Sequence, residues 1–170
     1  MNTEPEQTML AGERVTIRPI RSSDVDLETD FIRNLSIESK HYRFFGGVRA
    51  LPAAEIVRFC TVDGHYTMAY VATVQRNGNE VEIGVCRYAP DTKADVREMA
   101  VTIADEWQHK GLGQVLMQHL IATAKEHGVQ ELYSQDLADN PQMRELAHEM
   151  GMSVRRDPAD ACQVIYSLPL

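Results

Sequence analysis

The stretch from Val96 to Gln114 constrains this chain more than any other. It opens with a strand-like run, Glu98-Met99-Ala100-Val101-Thr102-Ile103-Ala104, and passes through Gln108-His109-Lys110-Gly111-Leu112-Gly113. The chain then continues as a helical run from Leu112 to His127, in which Leu112, Val115, Leu116, Leu120, Ile121 and Ala124 share one stripe. Strand, polar turn, helix is an order that gathers outward-pointing N–H groups and the positive end of a helix dipole at one place, which makes an anion site. Gly111 and Gly113 leave room for a phosphate against the backbone, and the successive N–H groups of such a turn can wrap it. The turn is read as the holder of a nucleotide-like pyrophosphate. On glycine spacing alone, a plain turn before a helix looks the same.

The flanks narrow the choice. There is no G-x-G-x-x-G and no G-x-x-x-x-G-K-[ST]; what stands here is Q-x-x-G-x-G directly after a strand. This resembles the R/Q-x-x-G-x-G/A signature of the GNAT superfamily of N-acetyltransferases, whose turn binds the pyrophosphate of acetyl-CoA. The resemblance runs from about Glu13 to Leu168 and implies cofactor contacts from Gln108, His109, Lys110, Gly111, Leu112 and Gly113. It also implies a GNAT acyl-CoA N-acyltransferase fold, an α/β (α+β) fold with a mixed, mostly antiparallel sheet and helices on both faces. In that fold the parallel fourth and fifth strands splay apart at one end. The pantetheine arm enters the gap and pairs with the fourth strand, here near Val101 and Ile103.

The order of elements gives the same architecture. Residues 1–12 read as a loose, flexible tail and residues 13–170 as one domain. Glu13 to Ile20 is a first strand, ended near Pro19; Ser22, Ser23 and Asp24 offer caps for a helix carrying Val25, Leu27, Phe31, Ile32 and Leu35. Further helices start at Ser36 and around Pro52. Tyr66 to Val74 and Val81 to Tyr88 flank an Asn77-Gly78 hairpin turn. Pro90 to Ala94 is a loop, Asp95 to Ala104 the fourth strand, and Glu131 to Gln135 the fifth. The fourth and fifth strands are joined through a helix, so they run parallel. Asn140 and Pro141 start a helix that Gly151 ends, and Ser153–Arg156 with Gln163–Leu168 form a closing hairpin.

The expected reaction is attack of an amine on the acetyl thioester. A lysine amine has a pKa near 10.4, and neutralising it at pH 7 costs roughly 4–5 kcal/mol, so a general base helps. Glu98 sits at the start of the fourth strand, facing with Ala100 and Thr102 and opposite to Met99, Val101 and Ile103. By position alone it also reads as a strand-edge carboxylate kept for solubility. The bacterial Pat-type protein lysine acetyltransferases, a GNAT branch, carry a glutamate in a similar x-E-x-A-V-x-V run, where it acts as the base. Leu35-Ser36-Ile37-Glu38-Ser39 followed by Arg43-Phe44-Phe45 resembles the L-S-x-E-S…R-F-F run of that branch. Packing by Tyr42, Phe44 and Phe45, with Glu38 and Arg43 as surface charges, accounts for the same run energetically. The resemblance implies protein lysine as acceptor, with an acyl-CoA synthetase as the first partner to try. A small-molecule amine or a protein N-terminus is the alternative acceptor, and an acyl-CoA-binding sensor without catalysis the alternative function.

Asn140 has two readings, a helix cap and a hydrogen-bond partner of the CoA arm, with Met143 packed near it. Many GNATs place a tyrosine seven residues after this asparagine to protonate the leaving thiolate; Ala147 stands there instead. A thiol with a pKa near 8.5 is a fair leaving group without help. A backbone N–H of the fourth strand is expected to polarise the thioester carbonyl. His109 and Lys110 are read as positive charge at the phosphates or as solvated turn residues.

Composition excludes several classes. A net charge of −8 disfavours general nucleic-acid binding and suits a soluble chain or a cationic partner. The three cysteines, Cys60, Cys86 and Cys162, form no C-x-x-C, so neither zinc nor redox chemistry is expected. Cys86 reads as core. The histidines show no metal-binding spacing, and His119 and His127 are read as a solvated face. No signal peptide or membrane span is expected, which makes the cytoplasm the expected location. No synthetase-like or nucleotide-sensing domain is expected on this chain.

Overall fold

Two residues with positive φ, Asn77 (51°) and Gly78 (82°), turn the chain back on itself and pair Arg76 with Asn79. That geometry matches the twist of the flanking strands. In the computed structural model, which describes residues 4–46, 50–93 and 95–170, this hairpin supplies the third and fourth strands of an eight-stranded sheet. The strands are β1 (Glu6–Leu10), β2 (Glu13–Pro19), β3 (Met68–Arg76), β4 (Asn79–Pro90), β5 (Val96–Ile103), β6 (Glu131–Leu137), β7 (Ser153–Arg156) and β8 (Gln163–Pro169). The helices are α1 (Val25–Asn34), α2 (Ile37–Phe44), α3 (Ala53–Cys60), α4 (Leu112–Glu126) and α5 (Pro141–Glu149). The sheet order is β1-β2-β3-β4-β5-β6-β8-β7. Among the described strands, β5 and β6 are the parallel pair and every other neighbouring pair is antiparallel.

The expected loose tail is corrected from Glu6 onward; its residues 1–3, and Ala94 of the expected loop, lie outside the described residues. Glu6 to Leu10 form β1, which pairs with β2 from Glu6↔Ile17 to Leu10↔Glu13 through a turn whose Ala11 and Gly12 both have positive φ. The fourth and fifth strands of the sequence reading are therefore β5 and β6. Boundaries shift as well: β3 begins at Met68, β4 takes in Pro90, and β6 runs on to Leu137.

β3 reads as a continuous apolar run because both of its faces are covered. Met68, Tyr70 and Ala72 join the core under α4 and α5. Ala69 and Val71 join the core formed with Phe31, Ile32 and Ile56 of α1 and α3. Gly84 of β4 lets α4 approach, since a methyl there would meet Leu112 and Leu116 side-chain carbons at 3.2 Å. Cys86 is buried as expected, Cys60 is buried too, and Cys162 is exposed. Burial pushes the Cys60 and Cys86 thiols up to about 12.

The solvated reading of His119 and His127 is corrected. His119 bonds Val115 O and the Glu6 carboxylate of β1, and His127 Nδ1 lies 2.8 Å from the Tyr88 hydroxyl. No helix among the described residues is long and apolar enough to cross a membrane.

Candidate active site

The parallel ladder between β5 and β6 holds three pairs: Val96↔Glu131, Arg97↔Leu132 and Glu98↔Tyr133. Past these, β5 stays bonded to β4 as far as Ile103, and β6 to β8 as far as Leu137, but the two no longer bond each other. The gap between them opens into a cleft of about 220 Å³. Ser39, Tyr42 and Arg43 of α2 form one wall, Gln142 and Met143 of α5 with its cap Asn140 another, and residues 108–113 close one end.

Trp107 anchors that end: it is 1% exposed and its N–H donates to Ala104 O at 2.8 Å. The backbone then turns through His109 at φ 56° and Gly111 at φ 81°, both left-handed. Gly111 caps α4, and the first bond into the helix runs from Val115 N–H to Gly111 O at 3.2 Å. The N–H groups ahead of Val115 in the first turn have no acceptor within the helix. Gly111, Leu112, Gly113 and Gln114 line this end of the cleft. Leu112 itself points into the core, so its amide is what the turn can offer.

The side chains of the turn have other work. Gln108 Nε2 lies 3.2 Å from both Ile103 O and Ser39 Oγ, and its Oε1 accepts from Gln142 at 3.4 Å. It braces α2, β5 and α5 together. It also occupies the Ile103 carbonyl, one of the backbone groups expected to be open. His109 Nδ1 meets the Glu145 carboxylate at 3.0 Å, and Lys110 Nζ lies 5.0 Å above the Trp107 ring.

Along β5 the alternation is as expected: Met99 belongs to the core under α4, with Val101 and Ile103 packed against it. Glu98 is exposed at the last rung of the ladder and lines the cleft. Asn140 Oδ1 accepts from Met143 N–H at 3.1 Å and so caps α5, while both residues also line the cleft. Ala147 is buried in the core. Two cleft-lining acceptors, Thr102 Oγ1 and Gln142 Oε1, are buried without any partner. Orphan acceptors in a narrow cleft fit a ligand that brings amide or hydroxyl donors, as the arm of coenzyme A does. Among the described residues no group of three His, Cys, Asp or Glu side chains is arranged to hold a metal.

The L-S-x-E-S run acquires a physical role. Ser36 caps α2 by accepting from Ser39 N–H at 3.0 Å. The Ser36 N–H and hydroxyl and the Ser39 hydroxyl all donate to Asp105, at 2.9, 2.6 and 2.7 Å. Partial burial opposes the charge on Asp105, but these bonds outweigh it and hold the carboxyl below its usual range. The segment leading into the turn is thereby tied to α2.

Three residues escaped the sequence reading. Arg43, read as a surface charge, lies in the cleft wall with its guanidinium 5.3 Å from the Phe44 ring and 5.7 Å from the Phe59 ring. Burial, with Arg87 nearby, brings its pKa down to about 10. Asp136 of β6 lines the same cleft and accepts from the Ser134 hydroxyl. Burial pushes its carboxyl up, with Glu98 adding to the shift, while Ser134 and Arg43 pull it down. Gln142 is the third, and its bond to Gln108 is 34 residues distant in sequence. All three are half-buried, and nothing in the local pattern around them marks them as cleft-lining.

Comparison with known proteins is consistent along the whole chain. The family model described as "Acetyltransferase (GNAT) family" matches residues 34–152. Acetyltransferase PA5475 of Pseudomonas aeruginosa is 41% identical over 94% of this chain and 86% of its own length. Acetyltransferase Pat of Mycolicibacterium smegmatis is 30% identical over 86% of this chain, which spans only 44% of that protein. The crystal structure of the GNAT domain of S. lividans PAT superposes with a TM-score of 0.87 at 26% identity, covering 98% of this chain and 97% of that one.

Proposed function

The chain belongs to the GNAT family of N-acetyltransferases, and from that premise we propose that it moves the acetyl group of acetyl-CoA to protein lysine ε-amines, with Glu98 as general base. The observation that carries this reading is the position of Glu98, the last paired residue before β5 and β6 part. A carboxylate there stands at the mouth of the gap and in contact with water.

Bound acetyl-CoA supplies an acyl group activated as a thioester. The amides around Gly111 and Gly113 grip the diphosphate, with His109 and Lys110 adjoining. Val101 and the edge of β5 pair with the pantetheine arm, and Thr102 and Gln142 accept its donors, in keeping with their orphan oxygens. Asn140 and Met143 flank it from α5. Ile103 contributes its apolar face, its carbonyl being held by Gln108. Glu98 takes the proton of the incoming ammonium, directly or through one water, and a β5 N–H polarises the acyl oxygen.

Lysine is favoured as acceptor by the L-S-x-E-S…R-F-F run on the α2 wall and by the two Pat relatives, one in sequence and one in structure. An acyl-CoA synthetase is the first protein acceptor to offer, and the cytoplasm the proposed location. The test measures coenzyme A release with lysine peptides, a synthetase, small amines and peptides with free N-termini. Turnover fastest on protein lysine supports the reading; faster turnover on a small amine or an N-terminus overturns the acceptor. Glu98→Gln is expected to lower kcat by about 10²-fold or more with acetyl-CoA affinity little changed. A variant as fast as the wild type removes Glu98 from the mechanism.

A further inference from the structure

The position seven residues beyond Asn140 holds Ala147, which has no proton to give, so the leaving thiolate lacks the acid many relatives supply there. The same face of the sheet carries another acid. Along β6, Leu132 lies in the core under α4 and α5, and alternation puts Ser134 and Asp136 on that face with it. The Ser134 hydroxyl donates to Asp136, and Ser134 pairs across the ladder with Tyr166, a member of the same core as Ala147 and Met143. Asp136 lies three residues past the last β5–β6 rung, inside the splay, and lines the cleft together with Glu98 and Met143.

We infer that Asp136 is the general acid of this enzyme, giving its proton to the sulfur of coenzyme A as the acyl group leaves; this rests on the acetyltransferase reading above. The bookkeeping of bonds is simple. The ammonium gives one proton to Glu98 before it attacks; the N–C bond then forms, the nitrogen sheds a second proton by the same route to water, and the C–S bond breaks. The sulfur takes the Asp136 proton, and the new carboxylate stands near Arg43 until water returns a proton to it.

The surroundings of Asp136 suit this cycle. Arg43 faces it from α2, Glu98 from β5, Tyr166 from β8 and Ser134 from its own strand, with Glu145 and Glu149 farther along the α5 wall. Burial and the Glu98 charge hold the proton on before transfer, and the Arg43 charge eases its departure. Two carboxyl groups lining one cleft, Glu98 exposed and Asp136 half-buried, divide into base and acid.

The experiment compares wild type, Asp136→Asn and Asp136→Glu in three measurements. Calorimetry is expected to give acetyl-CoA affinities within about twofold of one another, since the diphosphate grip lies elsewhere. The kcat of Asp136→Asn is expected to fall about 10²-fold, and the decline of kcat at high pH to vanish, while Asp136→Glu keeps that decline. The third measurement needs no turnover: the thiol of bound coenzyme A, followed by its thiolate absorbance, ionises at lower pH in Asp136→Asn, because a like charge beside it is gone. An active wild type with unchanged kcat and unchanged thiol ionisation in Asp136→Asn overturns the acid alone. A uniform loss at every pH with the decline retained also overturns it. A wild type that binds acetyl-CoA but is inert toward every amine overturns the acetyltransferase reading and the acid with it.

Discussion

Gly111 and Gly113 stand two residues apart and do different things. Gly111 sits at φ 81°, where any other residue is strained, whereas a methyl on Gly113 would meet only Leu146 at 3.4 Å, an ordinary contact. Gly111→Ala is therefore expected to cost about 1–2 kcal/mol of folding stability. Gly113→Ala is expected to melt close to wild type and, on the proposed placement of the diphosphate, to bind acetyl-CoA at least tenfold more weakly, because a methyl there would crowd the backbone that the phosphate is proposed to approach. Thermal melts and calorimetry on the two variants separate these effects; tight binding by Gly113→Ala would place the diphosphate elsewhere. The two glycines were legible in the sequence because backbone demands leave a local mark. Asp136 was not, because Ser134, Gln135 and Asp136 read as a polar strand end, and what encloses Asp136 comes from α2, more than ninety positions earlier, at Arg43.

At the scale of elements, α2 walls the cleft, and three hydrogen bonds to Asp105 join its first turn to the chain entering the turn at residues 108–113. Ser36→Ala removes a helix cap and one of those bonds, at a cost of about 1 kcal/mol. Asp105→Asn keeps the shape but weakens the join, so the KM for the acceptor is expected to rise more than the affinity for acetyl-CoA falls. Steady-state kinetics with a lysine peptide alongside calorimetry checks this; equal losses in both would mean that α2 serves both substrates alike. Helix limits were largely readable because caps are short-range: Ser36 and Asn140 both cap as their positions suggest. β1 was missed for the opposite reason. Gln7 and Thr8 belong to a mostly exposed strand, which needs a partner's backbone and little apolar surface of its own.

At the scale of the whole molecule, one poorly accommodated carboxyl, Glu82, lies outside the cleft lining. A β-bulge in β4 breaks the register after Ala72↔Gly84 and turns Glu82 toward the face covered by α1. There it meets Glu28, whose other oxygen receives Arg87 at 2.8 Å, and neither Glu82 oxygen has a donor. Burial and the Glu28 carboxylate push Glu82 well above its ordinary range. Its folded pKa is thus higher than its unfolded value of about 4.3, and unfolding releases a proton between the two. Stability is expected to fall as pH rises through that window, by about 1.4 kcal/mol per unit. Glu82→Gln is expected to flatten this dependence and raise the Tm at neutral pH; melts from pH 4 to 9 that remain parallel for both proteins would show Glu82 to be satisfied some other way. Cys162, exposed just ahead of β8 while the other two thiols are sealed in the cores, bears on every such measurement. A chromogenic disulfide used to count product will register one sulfhydryl per polypeptide at time zero. A maleimide dye attached there will decorate a site outside the cleft, which makes the unmodified sequence ready for single-position labelling.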